Sequence, residues 1–291
     1  MKILVLGASG MLGHTVLREL ASDSDLHVTG AVRKRPGNFN FGALVLDGID
    51  ASDFGSIKAV IDQVDPNVVI NCIGVIKQDP RVEDKVNTIA VNAMLPHVLE
   101  RECDERGRRF IHFSTDCVFS GRRGRYTEED TPDPVDFYGR SKLMGEAGQT
   151  GLVLRTSIIG REISSKRSLL EWFLSSQGTV RGFTEAIYSG VTTTEMARLV
   201  KSVIRNHPAL SGLLHVASDP ISKHDLLHVI ADEYGWHGTI APDSKVRCDR
   251  SMRADGLFAL TGYRPPAWKT MIKEMRMAES ALGRSTLGAG R

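Results

Sequence analysis

The sequence predicts an α/β fold built on a doubly wound parallel sheet, and three observations predict it. Short apolar runs alternate with amphipathic stretches through the first half of the chain, at the spacing of βαβ units. The apolar runs are nearly continuous, as parallel strands buried on both faces require. A glycine-rich turn stands between the first strand-like run and the first helical one.

The elements follow in order. Strands are read at KILVLG (2–7), LHVTGAV (26–32), ALVLD (43–47), NVVINCIG (67–74), RRFIHFST (108–115) and LVLRTS (152–157). Between them, helices begin at Met11 and span about Asp53 to Gln63, Asp84 to Glu105 and Tyr138 to Ala147. Beyond residue 157 the pattern loosens. SLLEWFLSS reads as an amphipathic helix, and Thr192 to Glu195 has capping-box spacing before ARLVKSVI. Ser222 and Asp225 offer a similar start for DLLHVIADEYG, after a strand-like GLLHVAS. The expected organisation is a dinucleotide-binding domain over 1–157 and a smaller α/β substrate-binding region over 158–280. The latter packs over the carboxyl edge of the sheet, with the chain free to cross back to it. A flexible tail is expected at 281–291.

Composition narrows the function. At 291 residues the chain has room for a full core and a smaller appended region. Its 37 Lys and Arg against 35 Asp and Glu leave a net charge of +2, so neither nucleic acid nor a membrane is an expected partner. The basic runs at 33–35, 106–109 and 122–125 read by default as solvated surface. The N-terminal apolar run is about five residues, short of the ~7–15 of a secretory h-region, and nothing approaches the ~18 of a membrane span. Cys72, Cys103, Cys117 and Cys248 form no CxxC pair and read as reduced thiols in a cytoplasmic protein. Trp172, Trp236 and Trp268 read as core rather than as platforms for a base.

Three motifs carry chemistry. Gly7-Ala8-Ser9-Gly10-Met11-Leu12-Gly13 joins a strand to a helix, which lets backbone approach a pyrophosphate at the helix N-terminus. About 20 residues on, an acidic side chain would hold the ribose of NAD. Ala31-Val32-Arg33-Lys34-Arg35 offers three cations instead, so NADP is expected over NAD, with Arg33 and Lys34 at the 2′-phosphate. Tyr138 and Lys142 stand four apart, hence on one helical face. An ammonium ~4 Å from a phenol is worth about 4 kcal/mol at an effective dielectric of ~20, enough to lower the phenol pKa by roughly three units. Ser114-Thr115-Asp116-Cys117 ends the fifth strand, where ligands gather in open sheets. Thr115 is placed to donate to a reacting oxygen, and Asp116 to touch a sugar hydroxyl or act as a helper acid. His112, Asp116 and Cys117 do not make a metal site, because strand alternation separates them and no further ligands lie nearby.

With these elements in this order, the chain resembles the extended short-chain dehydrogenases, a Rossmann-fold family, and within it the dTDP-4-dehydrorhamnose reductase branch. The resemblance runs from GASGMLG to about RPPAW, and its most telling pieces are FSTDCVFSG, YGRSKLMGE and LRTSIIG. It implies a catalytic set of Thr115, Tyr138 and Lys142, with Tyr138 protonating a carbonyl. It implies a pyrophosphate turn of Gly7, Ser9, Gly10, Met11 and Leu12, and an adenine neighbour at Asp47. Cys72, Ile73 and Gly74 would run under the cofactor, and Asn92 would support the lysine. Thr156 and Ser157 would approach the nicotinamide side, Lys142 would also hold the nicotinamide ribose, and Ser114 and Tyr138 would contact the cofactor too. Cys117 stands where these reductases usually carry a tyrosine, and the stretch 182–190 departs from their usual substrate loop.

The expected activity is therefore NADPH-dependent reduction of a related nucleotide-linked 4-keto-6-deoxy sugar, on dTDP, UDP or GDP, in surface polysaccharide synthesis. Asp116, Cys117, Arg181 and Arg250 are candidate substrate contacts, with Arg253 a further candidate for the diphosphate. A dehydratase would carry Asp-Glu after the threonine, and Asp116 is followed by Cys117. A sugar-nucleotide epimerase of the same fold and a non-catalytic NADP-binding regulatory subunit stand as the alternatives. Some relatives use magnesium at a dimer interface. No matching acidic cluster is legible here, so no metal is expected, and a homodimer is the assembly considered.

Overall fold

The computed structural model describes residues 1–37, 39–164 and 166–280. The tail expected at 281–291 lies outside them. The first half runs β1 (Lys2–Leu6), α1 (Met11–Ala21), β2 (His27–Ala31), β3 (Leu44–Leu46), α2 (Phe54–Val64) and β4 (Val68–Asn71). A helical segment follows as α3 (Lys85–Ile89), a π-turn at Ala90–Met94 and α4 (Leu95–Asp104). Then come β5 (Arg109–Thr115), α5 (Phe137–Met144) and β6 (Leu152–Thr156). The second half begins with β7 (Ile158–Ile159), α6 (Leu169–Ser175), β8 (Thr179–Phe183), β9 (Ala186–Tyr188) and β10 (Val191–Thr192). It continues with α7 (Thr193–Asn206), β11 (Gly212–Val216), β12 (Ile221–Ser222) and α8 (Lys223–Tyr234). It ends with β13 (Thr239–Asp243), β14 (Cys248–Asp249), α9 (Asp255–Thr261) and α10 (Trp268–Ser280).

The main sheet is parallel throughout, in the order β11-β6-β5-β4-β1-β2-β3. Strand alternation feeds two cores. Ile3 and Val5 of β1 face the layer that holds α1 and α7, whereas Leu4 and Leu6 face the layer of α2 and α4. Burial on both faces explains the unbroken apolar runs. Side chains fix where several helices start: Asp53, Asp136, Ser168, Thr192 and Ser222 each accept an N–H of the first turn.

The second half does not stand apart. β11 pairs with β6 from Gly212 to Val216 and becomes the edge strand of the sheet. Arg109, at the start of β5, donates to the carbonyls of Val203, His207 and Leu210 and so ties down the end of α7. The remaining elements form small sheets, β8 with β13 and β9 between β12 and β14, set against α6, α8 and α10. The basic runs are partly consumed in ion pairs: Arg106 meets Asp62 and Glu102, Arg108 meets Asp65, and Arg123 meets Asp130. Trp268 is buried and Trp236 half-buried, but Trp172 is exposed. The inward side of its helix belongs to Leu170 and Phe173, three apart, which turns residue 172 to solvent. Among the described residues no helix is long and apolar enough to cross a membrane.

Candidate active site

The strand order reverses between β1 and β4, and this opens a crevice at the carboxyl ends of the strands. Gly7 closes β1 with φ +75°, and a Cβ there would lie 2.9 Å from the backbone of Cys72 and Ile73. Only glycine lets the turn rest against that segment. The N–H groups of Gly7 and Ala8 both donate to Ala31 O, which brings the end of β2 alongside the turn. Helix α1 then starts at Gly10 without a side-chain cap, unlike α2, α5, α6, α7 and α8.

A cavity of about 870 Å³ fills the crevice. Its walls bring together Ser9, Gly10, Met11, Leu12, Cys72, Ile73, Gly74, Ser114, Thr115, Asp116, Cys117, Tyr138, Lys142, Thr156 and Arg250. Gly7 itself is not among the lining residues. Arg33, Lys34 and Asp47 are exposed at the ends of β2 and β3, outside its walls. Gly48 N–H donates to Arg33 O there, so the two strand ends stay in register. Arg181 is elsewhere: its side chain is exposed and faces Asp243 at 3.5 Å. Arg253 is half-exposed and paired with Asp255.

At the centre, Thr115 ends β5 and Tyr138 and Lys142 project from α5, whose start is fixed by Asp136 accepting the Gly139 N–H at 2.8 Å. Lys142 is buried and donates to Phe113 O at 2.7 Å, with His112 Nε2 at 3.4 Å. Asn71 Oδ1 accepts the Ile73 N–H, which leaves its amide nitrogen to donate to His112 Nδ1 at 3.1 Å. Burial holds His112 neutral, so its ring proton sits on Nε2 and faces the lysine. Burial also lowers the Lys142 ammonium to about 8. Tyr138 departs from the sequence expectation. Burial drives its pKa up, opposed by a hydrogen bond with Thr115, because the lysine amine is turned to Phe113 and His112. The phenol is held in its protonated form.

Beside this centre, Thr115 Oγ1 donates to Asp116 Oδ1 at 3.2 Å and accepts the Cys117 N–H. Burial raises the Asp116 carboxyl, against the attraction of Arg250. Arg250 donates to Phe119 O at 2.8 Å and reaches Cys117 Sγ at 3.6 Å. Several predicted positions spend their polar groups internally. Thr156 donates to Val216 O, and Ser114 to Glu146. Asn92 clamps Val75 through its N–H and C=O and also meets Ser141. It fixes the segment after β4 against α5, and among the described residues its hydrogen bonds go to Val75 and Ser141. Sequence reasoning passed over Lys77, Asp79, Arg81, Arg167, Tyr188 and Lys223, which also line the cavity. Most sit in loops, a 3-10 turn or a short strand without periodicity, and Lys223 opens α8. Only the unusual wording of 182–190 drew attention to any of them.

The family model of the RmlD substrate binding domain matches residues 1–278. The chain is 30% identical over 257 residues to the "Probable low-salt glycan biosynthesis reductase Agl14" of Haloferax volcanii, covering 84% of each chain. It is 27% identical to methionine adenosyltransferase 2 subunit beta of Danio rerio, over 80% of this chain and 74% of that one. In fold it is similar to a dTDP-4-dehydrorhamnose reductase of Bacillus anthracis solved with NADP, with a TM-score of 0.79, 19% identity and coverage of 95% and 99%. A match across nearly the whole length, on a parallel sheet that carries this crevice, makes the chain a member of the RmlD substrate binding domain family.

Proposed function

We propose that the protein reduces a keto group on a nucleotide-linked sugar, with NADP as its cofactor and NAD as the lesser alternative. The single observation that carries this reading is one cavity with a glycine turn and an uncapped helix start at one end, and Thr115, Tyr138 and Lys142 at the other. The names of the relatives, reductases of glycan and rhamnose synthesis, point the same way.

The residues fit a dinucleotide. The uncapped N–H groups at the start of α1 suit a pyrophosphate. Arg33 and Lys34 stand at the end of β2, drawn beside the turn by the Ala31 carbonyl. Bound NADPH would supply a hydride to the carbonyl carbon. Tyr138 holds a proton on its phenolic oxygen and releases it to the carbonyl oxygen as that oxygen gains charge. Thr115, whose hydroxyl donates to Asp116 in the free protein, turns to donate to the same oxygen and keeps it in line with the phenol. Lys142, its amine turned to Phe113 and His112, adds positive charge to the same wall of the cavity and is the residue to hold the nicotinamide ribose. Asp116, whose carboxyl burial raises against the attraction of Arg250, faces the sugar. The substrate is a dTDP-, UDP- or GDP-linked 4-keto-6-deoxy sugar, with residues 158–280 contributing its side of the cavity and residues 1–157 the cofactor's.

The four free thiols suit a reducing compartment, and the cytoplasm is proposed on that ground. Val86, Met94 and Met144 are exposed on neighbouring helical segments, and a homodimer through that face is proposed. The similarity to a methionine adenosyltransferase subunit favours one second reading, a regulatory NADP-binding subunit.

The test is NADPH oxidation at 340 nm with a panel of such keto sugars, alongside Tyr138→Phe and Lys142→Ala. Oxidation with one sugar, reduced at least 100-fold by Tyr138→Phe, is expected. NADPH binding without turnover of any sugar would favour the regulatory reading.

A further inference from the structure

Tyr188 ends β9 and lines the cavity with about nine-tenths of its surface buried. Among the described residues its hydroxyl makes no hydrogen bond of ordinary geometry, although the Ser157 side chain lies near enough to oppose the upward pull of burial on the phenol. Other buried tyrosines of this chain are satisfied: Tyr234 donates to Glu279 Oε1 at 2.5 Å, and Tyr263 to Glu195 Oε1 at 2.7 Å. An orphaned buried hydroxyl costs stability, so its persistence asks for a ligand that completes it.

The ring is held firmly. It packs 5.3 Å from the ring of Trp268, and Tyr188 is in register with Ile221 of β12. Gly190 lies so close that a Cβ there would sit 2.7 Å from Tyr188 Cζ. The phenol is thus fixed before any ligand enters. Asp116, Cys117 and Ser157 are the groups that influence it, and all three line the same cavity beside Thr115. A carboxyl, a thiol and a hydroxyl beside an aromatic ring suit an oxygen-bearing pyranose.

We propose that Tyr188 is a specificity residue, whose hydroxyl hydrogen-bonds an oxygen of the sugar ring that carries the reacting carbonyl. This rests on the reductase reading for the identity of the ligand, but its own contact is with the sugar and not with the nucleotide or the dinucleotide. Cys117, next to it, offers only a weak thiol. The phenol is therefore the cavity's tyrosine on the substrate side, as Tyr138 is on the reacting side.

The test compares Tyr188→Phe with Tyr234→Phe. In the free protein, Tyr188→Phe removes an unsatisfied hydroxyl and should raise Tm by about 2 °C, whereas Tyr234→Phe, which breaks a made bond, should lower it. Calorimetric titration with dTDP-, UDP- and GDP-glucose should show the preferred sugar nucleotide bound about tenfold more weakly by Tyr188→Phe. The matching bare nucleoside diphosphate and NADPH should bind it unchanged. A fall in Tm, an unchanged affinity for the sugar nucleotide, or an equal loss with the bare nucleotide would each overturn the assignment. If sugar nucleotides bind with this pattern but no keto sugar is reduced, the reductase reading fails and the role of Tyr188 stands. If none binds, both fall.

Discussion

Lys142 shows how a single buried charge ties stability to chemistry. Its folded pKa of about 8 lies below the ordinary 10.5, because burial disfavours the ammonium. Between those values the unfolded chain binds more protons, so stability should rise with pH across that window. Below it the full cost of burying the charge, about 3 kcal/mol, is present. Lys142→Met should therefore be more stable than the parent at pH 7, and its advantage should vanish by about pH 10.5. Urea unfolding at several pH values measures this, and a Lys142→Met protein less stable at pH 7 would sink the account. The same titration should make kcat/KM decline above about pH 8. At the end of β2, outside the cavity walls, Arg33→Ala with Lys34→Ala should raise KM for NADPH about tenfold and leave that for NADH within twofold. Equal effects on both cofactors would place the 2′-phosphate elsewhere.

At the scale of elements, starts and turns separate structural from ligand-facing design. Ser222 caps α8 by accepting the Asp225 N–H at 3.0 Å, and Ser222→Ala should cost about 1 kcal/mol in denaturant unfolding. Gly7 serves the turn itself. Gly7→Ala puts a side chain at φ +75° against backbone, and should cost at least about 2 kcal/mol while abolishing NADPH binding measured by fluorescence. A variant that still binds NADPH would show that the turn can shift. The elements also explain which residues were readable. Unbroken apolar runs and period-3.6 patterns exposed β1 to β6 and the main helices, and oxygen-bearing caps at Thr192 and Ser222 marked α7 and α8. Tyr188 and Asp79 sit where neither period applies, so nothing in the local sequence marked them as cavity residues.

Across the whole molecule, the two halves are stitched together by buried polar groups. Glu146 accepts from Arg155 Nε at 2.9 Å and Nη2 at 2.6 Å, and also from Ser114 beside the cavity, all nearly sealed from solvent. Arg155 in turn meets His215 of β11 at 2.9 Å. Glu146→Ala strands the guanidinium and should cost about 3–5 kcal/mol, seen as a large fall in the urea midpoint. The return of α7 and β11 to the sheet has a consequence for dissection. A fragment ending at residue 157 lacks the edge strand and the helix that covers α1, and is expected to show no cooperative unfolding transition. A fragment that did unfold cooperatively would show that the first six strands suffice.

By itself the sequence determined the parallel sheet, the glycine turn and the chain positions of Thr115, Tyr138 and Lys142, because these depend on periodicity and short-range spacing. It also marked Arg250 as a candidate, one of three arginines it could not rank. Only the tertiary structure separated Arg250 on the cavity wall from Arg181 facing Asp243 in solvent. It reversed the expected direction of the Tyr138 pKa, because i,i+4 spacing sets which side chains share a face and not where a lysine amine turns. It gave Asn92 a clamping role and left Tyr188 with an unmet hydroxyl. Desolvation and hydrogen-bond accounting depend on groups far apart in the chain, so they become visible only once the fold has brought those groups together.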